Sequence, residues 1–214
     1  MDSKKLASMI DHTILKPEVT KDDVKKVCDE ARKYNFKTVC VRSENIAFVA
    51  EQLKGSGVLP ISVVDFPKGL GSAKEKADET RRAVKDGAQE IDMVINVPAL
   101  KERNFKKAFD EIVAVVEAAN KKPVKVILET GFLTNEEKVI GCTLSKLAGA
   151  AFVKTSTGFG QGGATVEDVS LMRKVVGPEM GVKASGGVRT YEDAEKMVTV
   201  GDAVKYIEEK IATK

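Results

Sequence analysis

The sequence predicts an α/β protein, a single domain over residues 1–214 in which strand–helix units form a (β/α)8 (TIM) barrel. Short apolar segments alternate with longer charged segments of helical period seven times in succession, which is typical of a parallel sheet covered by helices. The first and last predicted strand centres lie near residues 11 and 182, so the repeat is about 28 residues. This regularity favours a closed barrel over a doubly wound sheet.

Seven strands and seven helices are predicted in order along the chain. The strands are 9–14 (MIDHTI), 36–41 (FKTVCV), 58–64 (VLPISVV), 90–96 (EIDMVIN), 124–129 (VKVILE), 150–155 (AAFVKT) and 180–184 (MGVKA). The helices are at about 20–34, 43–54, 72–86, 99–120, 134–148, 165–176 and 190–198. Capping boxes are expected at three helix starts, namely Thr20 with Asp23, Thr134 with Glu137 and Thr165 with Asp168.

The eighth strand of such a barrel is poorly supported. Only the segment 198–204 (VTVGDAV) is left for it, because the chain then continues as a helical pattern to its end. We therefore expect the eighth strand and its loop to be shortened or missing.

Composition excludes several classes of protein. The chain is 43% apolar and 31% charged, which fits a packed core and neither disorder nor a membrane protein. A net charge of +3 gives no indication of nucleic-acid binding. His12 is the only histidine and the three cysteines lie far apart, so we expect neither a disulfide framework nor a metal site. The N-terminal residues lack an apolar signal region, which predicts a cytoplasmic location.

Three charged residues lie inside predicted strands, where apolar residues are the rule. These are Asp92, Lys154 and Lys183, on strands four, six and seven. A barrel brings the carboxyl ends of its strands together, and two nearby ammonium groups lower each other's pKa. A neutral amine beside a second cation and a carboxylate is suited to Schiff-base chemistry on a carbonyl. An interior salt bridge is the alternative for either lysine alone.

Two glycine-rich segments each follow a strand and precede a helix. They are STGFGQGG at 156–163 and SGGVRT at 185–190. Glycine lets backbone N–H groups approach an anion at a helix N-terminus, and barrel enzymes often bind phosphate beyond strands seven and eight. With Arg189 beside the second segment, we expect a phosphate pocket here.

Other polar residues have two interpretations each. His12 is either a substrate contact or a structural hydrogen-bonding group, and Cys40 either packs inside strand two or belongs to the site. Glu129 and Asp11 are candidates for ion pairs with the strand lysines.

Taken together, several segments resemble the deoxyribose-phosphate aldolase family, in order from about residue 6 to residue 197. They are IDHTILKP (10–17), TVCV (38–41), EIDMVINV (90–97), KVILETGFLT (125–134), FVKTSTGF (152–159) and VKASGGVRT (182–190). The resemblance implies that Lys154 is the Schiff-base lysine, that Lys183 perturbs it and that Asp92 serves the proton relay. It also implies a TIM barrel without metal or cofactor.

The resemblance extends to substrate contacts and assembly. It implies that the substrate phosphate is lined by Gly158, Gly186, Gly187, Val188 and Arg189, and we expect further substrate contacts from Asp11, Thr13, Cys40, Thr155 and Thr157. The partners implied are a small sugar phosphate and aldehydes, with no nucleic acid and no membrane, and the assembly expected is a homodimer or homotetramer.

One departure from the family concerns strand eight. Members carry a segment similar to GADRIGTSSG there, whereas this chain passes from EKMVTV directly into GDAVKYIEEK. Whether the segment is deleted from the protein or only absent from this sequence stays open. The implied reaction is reversible cleavage of 2-deoxy-D-ribose 5-phosphate to acetaldehyde and D-glyceraldehyde 3-phosphate. The alternatives are another Schiff-base sugar-phosphate aldolase and a sugar-phosphate binding barrel without turnover.

Overall fold

Seven parallel strands form one sheet in the computed structural model, which describes residues 1–200. Each strand pairs with the next one along the chain, so the spatial order equals the sequence order. The strands are β1 (Asp11–Thr13), β2 (Thr38–Val41), β3 (Leu59–Val64), β4 (Glu90–Val94), β5 (Val124–Ile127), β6 (Phe152–Lys154) and β7 (Gly181–Lys183). All seven predicted strands are present, and each is shorter than its predicted segment.

The sheet curls into an open barrel rather than a flat layer. Lys183 on β7 contacts Asp11 on β1 across the interior, with 3.0 Å between Nζ and Oδ2. Among the described residues β1 and β7 are nevertheless not paired to each other. The predicted α/β barrel class is thus confirmed as a curled, seven-stranded half-barrel.

One helix precedes β1 and contributes to the cavity wall, and the later helices follow the strands and cover the outside of the sheet. They are α1 (Ser3–Ala7), α2 (Lys21–Tyr34), α3 (Ile46–Gln52), α4 (Ala73–Lys85), α5 (Val97–Lys101), α6 (Phe105–Ala118), α7 (Asn135–Leu147) and α8 (Val166–Val176), and residues 191–200 are also helical. The single helix predicted at 99–120 is two helices, because Arg103 adopts a positive φ of 57° and Asn104 caps a new helix. None of the described helices is long and apolar enough to cross a membrane.

Local capping explains where several helices begin. Thr20 and Thr134 form the predicted capping boxes with Asp23 and Glu137, which satisfy backbone N–H groups at the helix start. Thr165 caps α8 by accepting from the N–H of Asp168, but the Asp168 carboxylate bonds Lys138 instead of closing the box.

Alternation along the strands separates two cores. On β4, Ile91 and Met93 point outward into the large apolar core beneath the helices, so Asp92 points into the barrel. Inside the barrel a smaller apolar cluster fills the β1–β3 side with Leu15, Cys40, Ile61, Val63 and Phe66. The strands β4–β7, together with Asp11 on β1, contribute charged residues to the rest of the interior.

The segment 198–204, the one left for an eighth strand, contains no strand in its described part, in line with the expectation of a shortened or missing strand. Residues 198–200 belong to the helix that begins at residue 191, and residues 201–204 lie outside the described part of the chain. The apolar pattern of VTV suits a buried helix face as well as a strand, and a segment this short does not distinguish the two.

Candidate active site

Six charged side chains meet in the interior of the half-barrel. Three are carboxylates and three are ammonium groups, contributed by β1, β4, β5, β6 and β7: Asp11, Glu90, Asp92, Lys125, Lys154 and Lys183. Parallel pairing places them in register, because Asp92 lies opposite Lys125 and Lys154 lies opposite Lys183 on adjacent strands. The predicted trio of Asp92, Lys154 and Lys183 is therefore brought together within a larger cluster.

Asp92 is shared between two lysines. Lys154 donates to its Oδ2 at 2.6 Å, and Lys125 donates to its Oδ1 at 3.2 Å. Asp92 is fully buried and Lys154 is 5% exposed. This arrangement holds the carboxylate with one oxygen directed at each ammonium group.

Lys183 is paired with a different carboxylate. Its Nζ lies 3.0 Å from Oδ2 of Asp11, whose Oδ1 accepts a hydrogen bond from Thr38 Oγ1 at 2.8 Å. Burial alone would raise the pKa of the Asp11 carboxyl, but Lys183 and Lys125 outweigh burial and lower the pKa below its usual range.

The charge pattern changes the predicted tuning of Lys154. Burial favours the neutral amine, but the nearby Asp92 carboxylate outweighs it and raises the pKa of Lys154 above its usual value. The same contact lowers the pKa of Asp92 to about 2, against the effect of burial. The pKa of Lys154 is therefore raised rather than lowered, because Asp92 is the closest charged group. Lys183 pairs with Asp11, and its own effect on Lys154 stays a prediction.

Lys125 and Glu90 also belong to the cluster, although neither was among the predicted site residues. Lys125 on β5 donates to Glu90 as well as to Asp92, and burial is outweighed by these carboxylates, which raise the pKa of Lys125. Strand alternation could have found it, since Lys125 lies between Val124 and Val126, which point into the outer core.

The loops after β6 and β7 lie beside this cluster. Gly158 and Gly186 have φ values of 82° and 85°, and Gly186 accepts a hydrogen bond from the N–H of Ala164, which joins the two loops. The cavity wall includes Lys154, Lys183, Gly158, Gly186, Val188 and Arg189. The two predicted phosphate loops are thus adjacent to the predicted nucleophile, in a cavity of about 1810 Å³.

The remaining predicted site residues divide into two groups. Asp11, Thr13 and Thr157 line the cavity, whereas Cys40, Thr155 and Gly187 are absent from its wall. Cys40 packs in the interior apolar cluster, and burial raises its pKa to about 12, so its thiol is a poor nucleophile. Thr155 bonds both the N–H and the carbonyl of Ser185 and so ties β6 to the loop after β7.

The contacts of Glu129 and His12 distinguish between the roles predicted for them. Glu129 was expected to pair with a lysine but accepts from the N–H of Thr157 at 3.1 Å and from its hydroxyl, so this prediction was wrong. Its positive φ of 57° turns the chain at the end of β5 toward the β6 loop. His12 lies 2.8 Å from Glu30 and packs against Phe36, which supports its structural interpretation.

Within residues 1–200, no group of three or more His, Cys, Asp and Glu side chains is arranged to hold a metal ion.

Comparison with known proteins gives a consistent result. The model of the DeoC/LacD family aldolases matches residues 5–210. The deoxyribose-phosphate aldolase of Clostridium perfringens (strain SM101 / Type A) is 55% identical over 202 residues, which cover 94% of this chain and 90% of that protein.

Two solved structures share the fold. One from Coccidioides immitis, assigned as a deoxyribose-phosphate aldolase, has a TM-score of 0.91 at 45% identity and covers 94% of this chain and 81% of its own. The deoxyribose phosphate aldolase of Aeropyrum pernix, described as a unique tetramer, has a TM-score of 0.87 at 32% identity, with 94% and 85% coverage. The sequence match and the shared half-barrel together show that this chain belongs to the DeoC/LacD family of aldolases.

Proposed function

We propose that this chain reversibly cleaves 2-deoxy-D-ribose 5-phosphate to acetaldehyde and D-glyceraldehyde 3-phosphate through a Schiff base on Lys154. The observation that carries the proposal is the buried Lys154 on the cavity wall, with its Nζ 2.6 Å from Asp92. The 55% identity to a protein named for this reaction supports the choice of substrate.

The first step is attack on the aldehyde carbon of the open-chain sugar. Lys154 first gives up a proton, for which Asp92 Oδ2 is the nearest acceptor. The amine then adds to C1, and loss of water leaves a protonated imine. Because the pKa of Lys154 is raised in the free protein, this deprotonation has a cost that substrate binding must offset.

The second step breaks the bond between C2 and C3. A base removes the proton of the C3 hydroxyl, the C2–C3 electron pair moves toward the iminium nitrogen, and D-glyceraldehyde 3-phosphate leaves. The enamine that remains is protonated at C2, and water hydrolyses the resulting imine to acetaldehyde and free Lys154. Asp92 carries these protons in the proposal, through a water molecule and together with Lys183.

Phosphate recognition is assigned to the loops after β6 and β7. Gly158, Gly186, Gly187, Val188 and Arg189 are proposed to supply backbone N–H groups and one guanidinium to the anion. Gly158 and Gly186 fit this role because their positive φ values turn the backbone in a way that other residues rarely adopt.

Three broader expectations accompany this function. We propose that residues 1–214 act as one domain and that the protein is a homo-oligomer, as the Aeropyrum pernix relative is described. Three free, buried cysteines fit a reducing compartment such as the cytoplasm.

Turnover of defined sugar phosphates tests the proposal. We expect release of D-glyceraldehyde 3-phosphate from 2-deoxy-D-ribose 5-phosphate, measured by a coupled dehydrogenase assay, with Lys154→Met as the inactive control. Turnover of a longer phosphorylated ketose in its place would favour another Schiff-base aldolase. Binding of the sugar phosphate without any product would favour the binding barrel, for which the missing strand-eight segment is the supporting observation.

A further inference from the structure

The two oxygens of Asp92 have different partners. Oδ2 accepts from Lys154 and Oδ1 accepts from Lys125, which lies opposite Asp92 on the neighbouring strand. The Lys154 contact does not persist unchanged during the proposed reaction, because Nζ becomes part of an imine. The Lys125 contact involves no reacting atom and can persist through every step.

Lys125 is itself firmly held. It is 3% exposed, donates to Glu90 and Asp92, and has its Nζ 4.0 Å from Oδ2 of Asp11. It also lines the cavity together with Lys154. A lysine that only neutralised Glu90 would need neither the contact with Asp92 nor a place on the cavity wall.

The charged and titratable groups around Asp92 come from every strand that faces it. They are Asp11 on β1, Cys40 on β2, Glu90 on β4, Lys125 on β5, Lys154 on β6 and, through Asp11, Lys183 on β7. Asp11 and Glu90 are anions that favour protonation of Asp92. Once Lys154 has become an imine, Lys125 is the ammonium group in direct contact with Asp92 among the described residues.

We propose that Lys125 is a positioning residue for the aldolase reaction: it anchors Oδ1 of Asp92 so that Oδ2 stays directed at the nitrogen of Lys154 and the carboxylate stays ionised. This inference rests on the proposed function and adds a residue to it. A carboxylate that rotates or takes up a proton serves poorly as the acceptor of the next proton.

The test removes the Lys125 charge without leaving Glu90 unpaired. Lys125→Met with Glu90→Gln deletes one cation and one anion, so the net charge of the interior is unchanged. Because misplacing a catalytic group by about 1 Å can cost about 10²-fold, we expect kcat to fall by roughly 10²-fold with a much smaller change in KM. Borohydride trapping of acetaldehyde at Lys154 should persist.

The pH dependence of kcat separates positioning from a general loss of structure. This profile reports groups in the enzyme–substrate complex, in which Lys154 is already bound to substrate. Without Lys125 the pKa of Asp92 rises, so the acid limb of the kcat profile should move to higher pH. Lys125→Arg keeps the cation and should retain the wild-type acid limb.

The chain offers a matched control away from the cavity. Lys76→Met with Glu111→Gln neutralises another buried lysine–carboxylate pair, which lies outside the barrel. It should lower stability while leaving kcat and the acid limb at wild-type values. If the Met variant does not fold, Lys125→Gln with Glu90→Gln keeps an amide donor beside Asp92 and should show the same shift of the acid limb.

The positioning role would be overturned by a folded Lys125 variant whose kcat and acid limb both match those of the wild type. Failure of the proposed function looks different: the wild-type protein itself would then neither cleave the sugar phosphate nor be trapped at Lys154.

Discussion

Two buried lysine clusters lie on opposite faces of the same sheet, and they differ in whether the lysine borders a cavity. On the outer side, Lys76 of α4 donates to Glu111 at 2.6 Å and to the carbonyls of Gly69 and Val94, with Asp65 at 3.4 Å. On the inner side, Lys154 donates to Asp92 and lines an open cavity.

The difference shows that burial and pairing alone do not mark a reactive lysine. The Lys76 ammonium group is enclosed by carboxylates and carbonyls, and its side chain is fully buried. Lys154 has one close carboxylate partner, which Lys125 also contacts, and it lines the cavity. Access to a cavity and a shared carboxylate distinguish the inner cluster from a structural ion pair.

Replacing Lys154 should have the largest effect on activity. Lys154→Met should lower kcat/KM for 2-deoxy-D-ribose 5-phosphate by about 10⁴-fold or more, since loss of a covalent nucleophile removes most of the chemistry. The matched outer variant, Lys76→Met, should keep its kcat per folded molecule. Similar losses of activity in the two variants would remove the distinction between the clusters.

The next effect concerns the shared carboxylate. Asp92→Asn should lower kcat by about 10²- to 10⁴-fold, the usual contribution of a positioned acid–base group, while Schiff-base trapping stays detectable. Steady-state kinetics and borohydride trapping on the same preparation measure both. An Asp92→Asn protein with full turnover would assign the proton transfers to another group.

The outer lysine should matter for the free energy of unfolding rather than for turnover. Lys76→Met leaves Glu111 buried without its ammonium partner, which typically costs about 3–5 kcal/mol of unfolding free energy. Urea unfolding of Lys76→Met measures this cost. The double variant with Glu111→Gln should recover part of it, because the uncompensated charge is then gone. A Lys76→Met protein as stable as the wild type would show that the outer pair is not structural.

A smaller effect is expected at the phosphate loops. In Gly186→Ala the added Cβ would lie 3.1 Å from Gly163 Cα and would need a positive φ of 85°, so the loop must shift. Losing one charge-assisted hydrogen bond of about 1.5–3 kcal/mol should raise KM for the phosphorylated sugar by roughly 10- to 10²-fold. Unphosphorylated deoxyribose is the control, and an equal loss for both sugars would argue against a phosphate role.

The smallest effect is the acid dependence of stability. The pKa of Asp92 is lowered to about 2 from 3.8, so its ion pairs stabilise the fold above the unfolded pKa and this contribution is lost as pH falls through that interval. The contribution is roughly 2 kcal/mol at neutral pH. Asp92→Asn should lack this part of the acid dependence in urea titrations, and an unchanged dependence would exclude Asp92 as its source.

The sequence predicted the sheet well and the cluster only in part. Strand alternation and spacing identified all seven strands, and the unusual strand residues Asp92, Lys154 and Lys183 do meet. Lys125 was missed because one lysine between valines resembles an ordinary charged strand residue. Lys76 was not recognisable either, because the charged pattern of α4 is typical of an exposed helix, and only tertiary packing buries this residue.

The sequence alone does not show which ion pairs form. Which carboxylate neutralises which lysine depends on register across strands that are distant in the chain, as with Asp11 and Lys183. This register also determines the sign of the pKa change at Lys154, which sequence spacing alone predicted incorrectly.

The central claim is that Lys154, and no other buried lysine, forms the Schiff base. Reduction with borohydride in the presence of acetaldehyde, followed by peptide mass mapping, tests it directly. We expect an ethyl group on the peptide that contains Lys154, with Lys76, Lys125 and Lys183 unmodified, and no labelling in Lys154→Met. Acetaldehyde-dependent labelling of a different lysine, in a Lys154→Met protein that still cleaves the sugar phosphate, would contradict the account.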